Sequence, residues 1–325
     1  MRLSSLLIVI ASVLIAFTSC KDSAFLRASS AVNEVIVVMD KDAWEAEEGR
    51  ALFDVLNSHA KGLPQPEANF RILHITPENF TSTFKMARNI IIPEISDIYT
   101  ETKIASDLNK YAYGQIIMSV RAPDTLSFVN YLKENREMIV NYIVDKELER
   151  TAEWLIKDSD APQSRIQQVF GINIHYPKGL SNIQEDTNFY WATNNAARNR
   201  RDVVIYQFPY TSETVFEKDS LIAIRNEILG KHITGSFNSQ MSTAIKAYDP
   251  DYRKMEFNDL FRAELRGLWE MTSDMMGGPF VAHAFVNENT NMVVVAEMFV
   301  YAPEKEKRNL MRNMEAALYT ISIKE

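Results

Sequence analysis

Residues 266–301 read RGLWEMTSDMMGGPFVAHAFVNENTNMVVVAEMFVY, and the fold is decided here. Residues 280–286 carry no charge, and residues 292–300 carry one, Glu297. Both runs are rich in Val, Phe and Ala, and their length and β-branched content favour strands over helices. The polar cluster Asn287-Glu288-Asn289-Thr290-Asn291 between them has the composition of a hairpin turn. Gly277-Gly278-Pro279 joins two residues that tolerate positive φ to one without a backbone N–H, a string expected to end an element and turn the chain. The expectation is a central hairpin, apolar on both faces and so covered on both, preceded by a third segment ending in a glycine corner. Glu297 then stands at the solvent end of a face, in a pair, or in a functional role, because a lone carboxylate is seldom buried without a partner.

Towards the N-terminus, residues 34–40 (EVIVVMD) read as a strand. A helix follows from Asp42, with Glu45 three residues on, and reaches about His59 before Gly62. Residues 70–75 read as a second strand. Pro77 opens a helix with Phe80, Phe84 and Ala87 on one face. Residues 89–95 are extended and contain Pro93, which predicts an edge strand. Residues 115–121 form a further strand, and the longest helical stretch runs from Pro123 to about Lys157. The polar string SDAPQS at 159–164 is the best boundary. Beyond it, strands are expected at 169–176, 188–193 and 202–208, a helix at 212–230, an ambiguous and partly helical segment at 233–259, the meander, a helix at 303–317 and a last strand at 318–323.

Four times a strand runs into Pro shortly before a helix, at Pro77, Pro123, Pro209 and Pro303. Two of these joints fall on each side of the boundary. They predict an α+β fold of two related halves, 34–158 and 165–325, each a mixed or antiparallel sheet with helices packed mainly on one face.

Composition narrows the function. An apolar content of 46% in 325 residues suits a globular chain with a sizeable core. The formal charge is −8, which lacks the basic footprint of a nucleic-acid binder. Without residues 1–19, Lys+Arg falls from 35 to 34 while Asp+Glu stays at 43, giving −9. Arg2 followed by an apolar run over 6–17 reads as a signal peptide too short to span a bilayer comfortably. It ends Phe17-Thr18-Ser19-Cys20, the pattern of a lipobox with Cys20 as the lipidated residue. Residues 20–33 are then a lipidated tether. Cys20 is the single cysteine of the chain, so its acylation removes disulfides, thiolate metal sites and cysteine nucleophiles together. A diacylglyceryl group plus an N-acyl chain such as palmitate satisfies the two-signal requirement for stable anchoring. The expected location is the cell envelope, on the periplasmic or surface face of the outer membrane.

Catalytic strings are scarce. No dinucleotide fingerprint, phosphate loop, His-Glu-x-x-His or Gly-x-Ser-x-Gly elbow occurs. Ser-x-x-Lys occurs at Ser58/Lys61 and Ser82/Lys85 without its companion strings. The five histidines are not spaced as metal ligands, and no cofactor is implied. Asn188-Phe189-Tyr190-Trp191 could stack on a sugar but reads more simply as a half-buried strand. Arg198-Asn199-Arg200-Arg201 reads as a solvated loop before a strand.

The leader with Cys20, the segment Phe189-Tyr190-Trp191-Ala192, and Arg266-Gly267-Leu268-Trp269-Glu270 followed by Met276-Gly277-Gly278-Pro279-Phe280 resemble a family of uncharacterised lipoproteins of Bacteroidetes, grouped as a domain of unknown function. The resemblance implies a cell-envelope lipoprotein and supplies no catalytic residues. Two functions are then weighed. In the first, the chain is a non-catalytic binding or assembly module, with Trp269, Met276, Gly277, Gly278 and Phe280 contacting an envelope protein or glycan. In the alternative it is a membrane-anchored hydrolase of glycan or peptide, with Glu270, Asp274 or Glu297 as acid and base.

Overall fold

The structure is a computed structural model that describes residues 26–324; the leader, Cys20 and the start of the tether lie outside them. The first half is a five-stranded sheet of β1 (Glu34–Val38), β2 (Arg71–Ile75), β3 (Asn89–Ile95), β4 (Lys103–Leu108) and β5 (Ile116–Ala122). The order is β2-β1-β3-β5-β4. Its first four strands run parallel, and β4 closes one edge antiparallel to β5. Parallel strands need cover on both faces, which is why β1 and the start of β3 are continuous apolar runs. Helices α1 (Lys41–Glu45), α2 (Glu47–Leu56), α4 (Thr125–Glu134) and α5 (Arg136–Lys157) lie on one face, where Val35, Val37, Leu56, Met118, Phe128 and Ile139 share a core. The other face is closed by the short α3 (Ser82–Lys85) and the turn before it, through Phe80 and Phe84.

Pro93 does not place β3 at an edge. β3 lies between β1 and β5. Its ladder to β1 consists of Ile36↔Ile90 and Val37↔Ile91 alone, so Pro93 lies past the end of that ladder and its missing N–H leaves no gap. The proline joints also differ from expectation. Pro77 opens a single 3-10 turn. After Pro123 the helix is started by Asp124, whose side chain accepts from Ser127 N at 2.8 Å, an N-cap. Pro209 ends β9 (Arg200–Pro209).

The second half is a larger sheet of β7 (Asn182–Asp186), β8 (Phe189–Thr193), β9, β10 (Met241–Thr243), β11 (Asp251–Phe257), β12 (Leu260–Met271), β13 (Asp274–Asn287) and β14 (Met292–Tyr301). The order is β10-β12-β13-β14-β9-β8-β7, with β11 also on β12. Every pairing in it is antiparallel. The central hairpin β13–β14 is covered on both faces, as its composition requires. On one side α7 (Lys218–His232) packs against Phe280, Val295 and Phe299. On the other, α5, α6 (Gln163–Phe170), α8 (Arg308–Glu315) and the 3-10 turn at Ala316–Thr320 pack against Val281, Phe285 and Met298. The expectation of helices mainly on one face therefore holds for the first sheet and fails for the second, which is covered by helices on both faces. The strand orders and directions of the two sheets also differ, so no repeat relates them in topology.

Two segments depart from the sequence reading for local reasons. Helix α6 takes the first two residues of the strand expected at 169–176, with Ile166 and Phe170 one turn apart and Gly171 in the left-handed region at φ 66° closing it. Only β6 (Ile172–Asn173) of that strand exists, paired with β15 (Ser322–Ile323). The ambiguous segment 233–259 holds β10 and β11 and ends in the turn of the β11–β12 hairpin. Its two-residue turn is Asn258-Asp259, both at positive φ, the signature of a type I′ turn.

α5 joins the halves. Its first turns pack Ile139, Val140 and Ile143 on the first sheet, and its later turns pack Leu148, Ala152 and Leu155 on the second. α8 is the second bridge. Glu67 of the first half receives Lys307 N at 2.6 Å and Arg308 N at 2.8 Å, a carboxylate at a helix start. Arg312 donates to Asn33 Oδ1 at 2.7 Å, Asn69 O at 2.8 Å and Asn69 Oδ1 at 2.6 Å.

Candidate functional site

The Gly-Gly-Pro string lies inside β13 and holds the sheet together. Trp269 and Phe280 are buried, Met276 is half-buried, and Met275 is fully exposed. The β13–β14 ladder begins at Phe280↔Phe299, so the next register position pairs Pro279 with Val300. Proline has no N–H to offer there, and the Val300 carbonyl instead accepts from the Trp269 indole Nε1 at 3.2 Å. A Cβ on Gly278 would sit 2.1 Å from that carbonyl oxygen, and one on Gly277 would sit 2.7 Å from the Trp269 carbonyl. Gly267 faces the Phe280 ring across the ladder. Glycine, tryptophan and proline here form one packing unit that turns no corner; the chain turns at Thr272-Ser273 instead. β8 is likewise buried along its length, with Trp191 Nε1 donating to Asp202 at 2.9 Å.

The three proposed acid–base carboxylates do not meet. Glu297 is fully buried beneath α7 and bidentate with Arg225, Nε–Oε2 2.8 Å and Nη2–Oε1 2.7 Å. Burial pushes its carboxyl up and Arg225 opposes the shift. Glu270 is exposed at the other end of the sheet, and by strand alternation faces away from Glu297. Asp274 begins β13. None of the three lines either of the two cavities described below.

A cleft of about 490 Å³ opens where the two halves meet. Its first wall comes from residues 58–63 and α5, including His59, Lys61, Arg136, Asn141 and Asp145; its second comes from β11, β12 and α8, including Arg253, Glu264, Arg266, Arg308 and Glu315. The charged wall follows from strand alternation. On β12, Ala263, Leu265 and Trp269 point under α7, so Arg262, Glu264 and Arg266 point the other way, towards α8. On α8, Arg308, Arg312 and Glu315 recur at helical spacing on the cleft face.

The inner groups are locked together. Glu264 accepts from Arg253 Nη2 at 2.9 Å, stands 3.3 Å from His283 Nε2, and lies 3.5 Å from Arg266 Nε. Arg266 also bridges to Glu315. Burial disfavours the charge on Glu264, but Arg266, His283 and Arg253 outweigh it and hold the carboxyl well below its ordinary range. Burial pushes His283 below the usual imidazole range, so the ring is neutral. The tautomer that satisfies both neighbours donates from Nε2 to Glu264 and accepts at Nδ1 from Arg262 Nη1 at 3.4 Å. Arg262 also donates to the carbonyls of Leu318 at 2.5 Å and Ile321 at 3.2 Å, while its Nε is buried without a partner. Neither ring nitrogen of His283 is left to take a substrate proton. Ser58 and Lys61 both line the cleft without forming a nucleophile pair: the Ser58 hydroxyl donates to Val55 O at 2.7 Å, and Lys61 meets Glu137 at 2.9 Å.

The unfinished contacts lie nearer the mouth. Asp145 and Arg253 stand 3.9 Å apart across the cleft, a loose pair. Burial pushes the Asp145 carboxyl up, against the opposing pull of Arg253 and the hydrogen bond from Tyr319 at 3.2 Å. Arg253 Nε is buried without a hydrogen-bond partner, a group that ordinarily finds one. Leu63, Val140, Val144 and Met311 give the same cavity an apolar side. Sequence reasoning passed over these charges because charged side chains ordinarily face solvent. The available signals were the alternation Arg262-Ala263-Glu264-Leu265-Arg266 and the spacing Arg308, Arg312, Glu315. Among the described residues, no cluster of His, Cys, Asp or Glu is placed to hold a metal ion, and no helix is long and apolar enough to cross a membrane.

No curated protein matches the chain in sequence. Among solved structures, the chain is similar to a point mutant of the protein Mog1, at 7% identity and TM-score 0.30, over 47% of this chain and 90% of that one. It is similar at 8% identity and TM-score 0.28, over the same shares, to the Saccharomyces cerevisiae Ran-binding protein Mog1p. A protein of Bacteroides thetaiotaomicron VPI-5482 matches at 11% identity and TM-score 0.25, over 48% of this chain and 46% of that one. Residues 28–155 match the family model described as Domain of unknown function (DUF8532), and residues 159–320 match the one described as Domain of unknown function (DUF4837).

Proposed function

We propose that the protein is a cell-envelope lipoprotein, anchored through Cys20, that binds a small zwitterionic ligand in the cleft between its two halves. The ligand class is an amino acid or short peptide with free charged ends. The observation that carries this reading is the loose Asp145–Arg253 pair, 3.9 Å apart across the cleft. An ammonium beside Asp145 and a carboxylate beside Arg253 would complete both groups, and the apolar side of the cavity would take a side chain. The volume of about 490 Å³ falls in the range of small-molecule sites. The mutual engagement of Glu264, His283 and Arg266 favours binding over catalysis by those three groups.

The test is a thermal-shift panel of free amino acids and of dipeptides and tripeptides with free or blocked termini. Free termini are expected to raise the melting temperature, and blocking either end abolishes the rise. Arg253→Gln and Asp145→Asn are expected to remove the shift while leaving the fold intact by circular dichroism. A panel without any shift, or a shift that persists in both variants, contradicts the assignment. The intact mass of the mature chain tests the anchor separately.

A further inference from the structure

A second cavity, of about 540 Å³, lies at the amino ends of the parallel strands, and α8 lines both it and the cleft. Its lining carries four arginines, Arg27, Arg88, Arg150 and Arg312, against two carboxylates, Glu147 and Glu153. That is a local charge of +2 on a chain of −8. Glu147 is already engaged with Asn89 at 2.6 Å, Arg150 at 3.0 Å and Arg88 at 3.2 Å. Arg150 reaches Gly114 O at 2.6 Å, yet its Nε is buried without a partner. At the rim Trp154 is 49% exposed and Tyr113 43%, and the Arg27 guanidinium lies 5.3 Å from the Tyr113 ring centroid.

The chain enters at this rim. Leu26, 73% exposed, accepts from Tyr113 N at 2.9 Å, and Ala28 N donates to Tyr113 O at 2.9 Å. Leu26 follows Cys20 by six residues, which span at most about 22 Å however they run. A lipid on Cys20 therefore holds this rim within that distance of the bilayer. Cations beside exposed Trp, Tyr and Leu are the residue set that settles at a membrane interface and meets anionic headgroups. We infer that this face docks on the anionic phospholipid surface of the membrane holding the anchor, with Arg27 and the second cavity meeting lipid phosphates and Trp154 and Tyr113 at headgroup depth. The inference rests on the Cys20 anchor and is independent of what the cleft binds.

The experiment uses the mature chain reconstituted into vesicles of phosphatidylcholine, with or without phosphatidylglycerol, containing brominated lipid. Quenching of Trp154 is read as the difference between the natural protein and Trp154→Phe. Quenching is expected to be stronger with phosphatidylglycerol, and Arg27→Glu is expected to lower the docking equilibrium by roughly fivefold or more. Arg27 and Trp154 are both exposed, so these variants keep the fold. A lipidated chain with unquenched Trp154 overturns the docking alone, as does quenching indifferent to phosphatidylglycerol and to Arg27→Glu. An intact mass without lipid overturns the anchor and the docking together.

Discussion

Glu297 and Arg225 offer the clearest energetic test. Their side chains are 0% and 1% exposed, and two hydrogen bonds join them. Replacing Glu297 by Ala leaves a buried guanidinium with Thr243 Oγ1 at 2.9 Å and the Phe280 ring at 3.9 Å. Removing one member of a buried pair costs about 3–5 kcal/mol, because the other charge stays desolvated. A domain of this size loses about 2–4 °C per kcal/mol, so the second half is expected to melt on the order of 6–20 °C lower. The double variant Arg225→Met with Glu297→Leu strands no charge, and Phe280, Val204 and Leu229 surround it with apolar cover. It is expected to lie within about 2 kcal/mol of the natural protein. Urea unfolding of the natural protein, the single variants Arg225→Met and Glu297→Leu and the double variant, followed by far-ultraviolet circular dichroism, gives the coupling energy. A single Glu297→Ala cost under about 1 kcal/mol, or a double variant less stable than either single one, would refute the reasoning.

The Gly-Trp-Pro unit makes a second prediction. Gly278→Ala places a Cβ 2.1 Å from the Val300 carbonyl oxygen, so it is expected to cost more than about 3 kcal/mol of overpacking strain. Trp269→Phe keeps most of the packing but leaves that carbonyl unpaired, at about 1–3 kcal/mol by urea unfolding. Arg312→Met removes three hydrogen bonds to Asn33 and Asn69; calorimetry is expected to resolve two transitions in the variant and one in the natural protein. His283 makes stability depend on pH. Its folded pKa lies below 6.5, so the unfolded chain binds more protons there, and stability falls as pH drops below about 6.5. Glu264, held well below 4.5, adds a loss of the same sign at pH near and below 4.5. His175 and His232 shift in the same direction as His283. His283→Gln is therefore expected to flatten the dependence between about pH 6.5 and 5 without abolishing it, measured by urea midpoints.

The hairpin at 274–301 was legible because continuous apolar strands need cover on both faces, and the structure provides it. Register and strand neighbours were not legible. Pro93 suggested an edge and Gly277-Gly278-Pro279 suggested a corner, yet both prolines sit past the end of one ladder inside a longer strand. Where a ladder ends depends on the partner's length, which no local string records. The Asn258-Asp259 turn was readable from its dipeptide and was missed because Arg253, Lys254, Glu256, Arg262 and Glu264 break up the apolar pattern of β11 and β12. The cleft escaped for a different reason. Arg253, Glu264, Arg266 and Glu315 come from three separate elements, and only tertiary pairing makes them one network. The lipobox reading of Cys20 rests on its own neighbours and lies outside the described residues.

Ligand is expected to enter the cleft between the two halves. Amide chemical-shift mapping on isotope-labelled protein, titrated with an unblocked tripeptide, tests it. The prediction is saturable shifts at residues 59–63, 141–145 and 252–253, with the 269–280 string unmoved. Shifts centred on that string, or a titration that leaves the cleft amides in place, would contradict it.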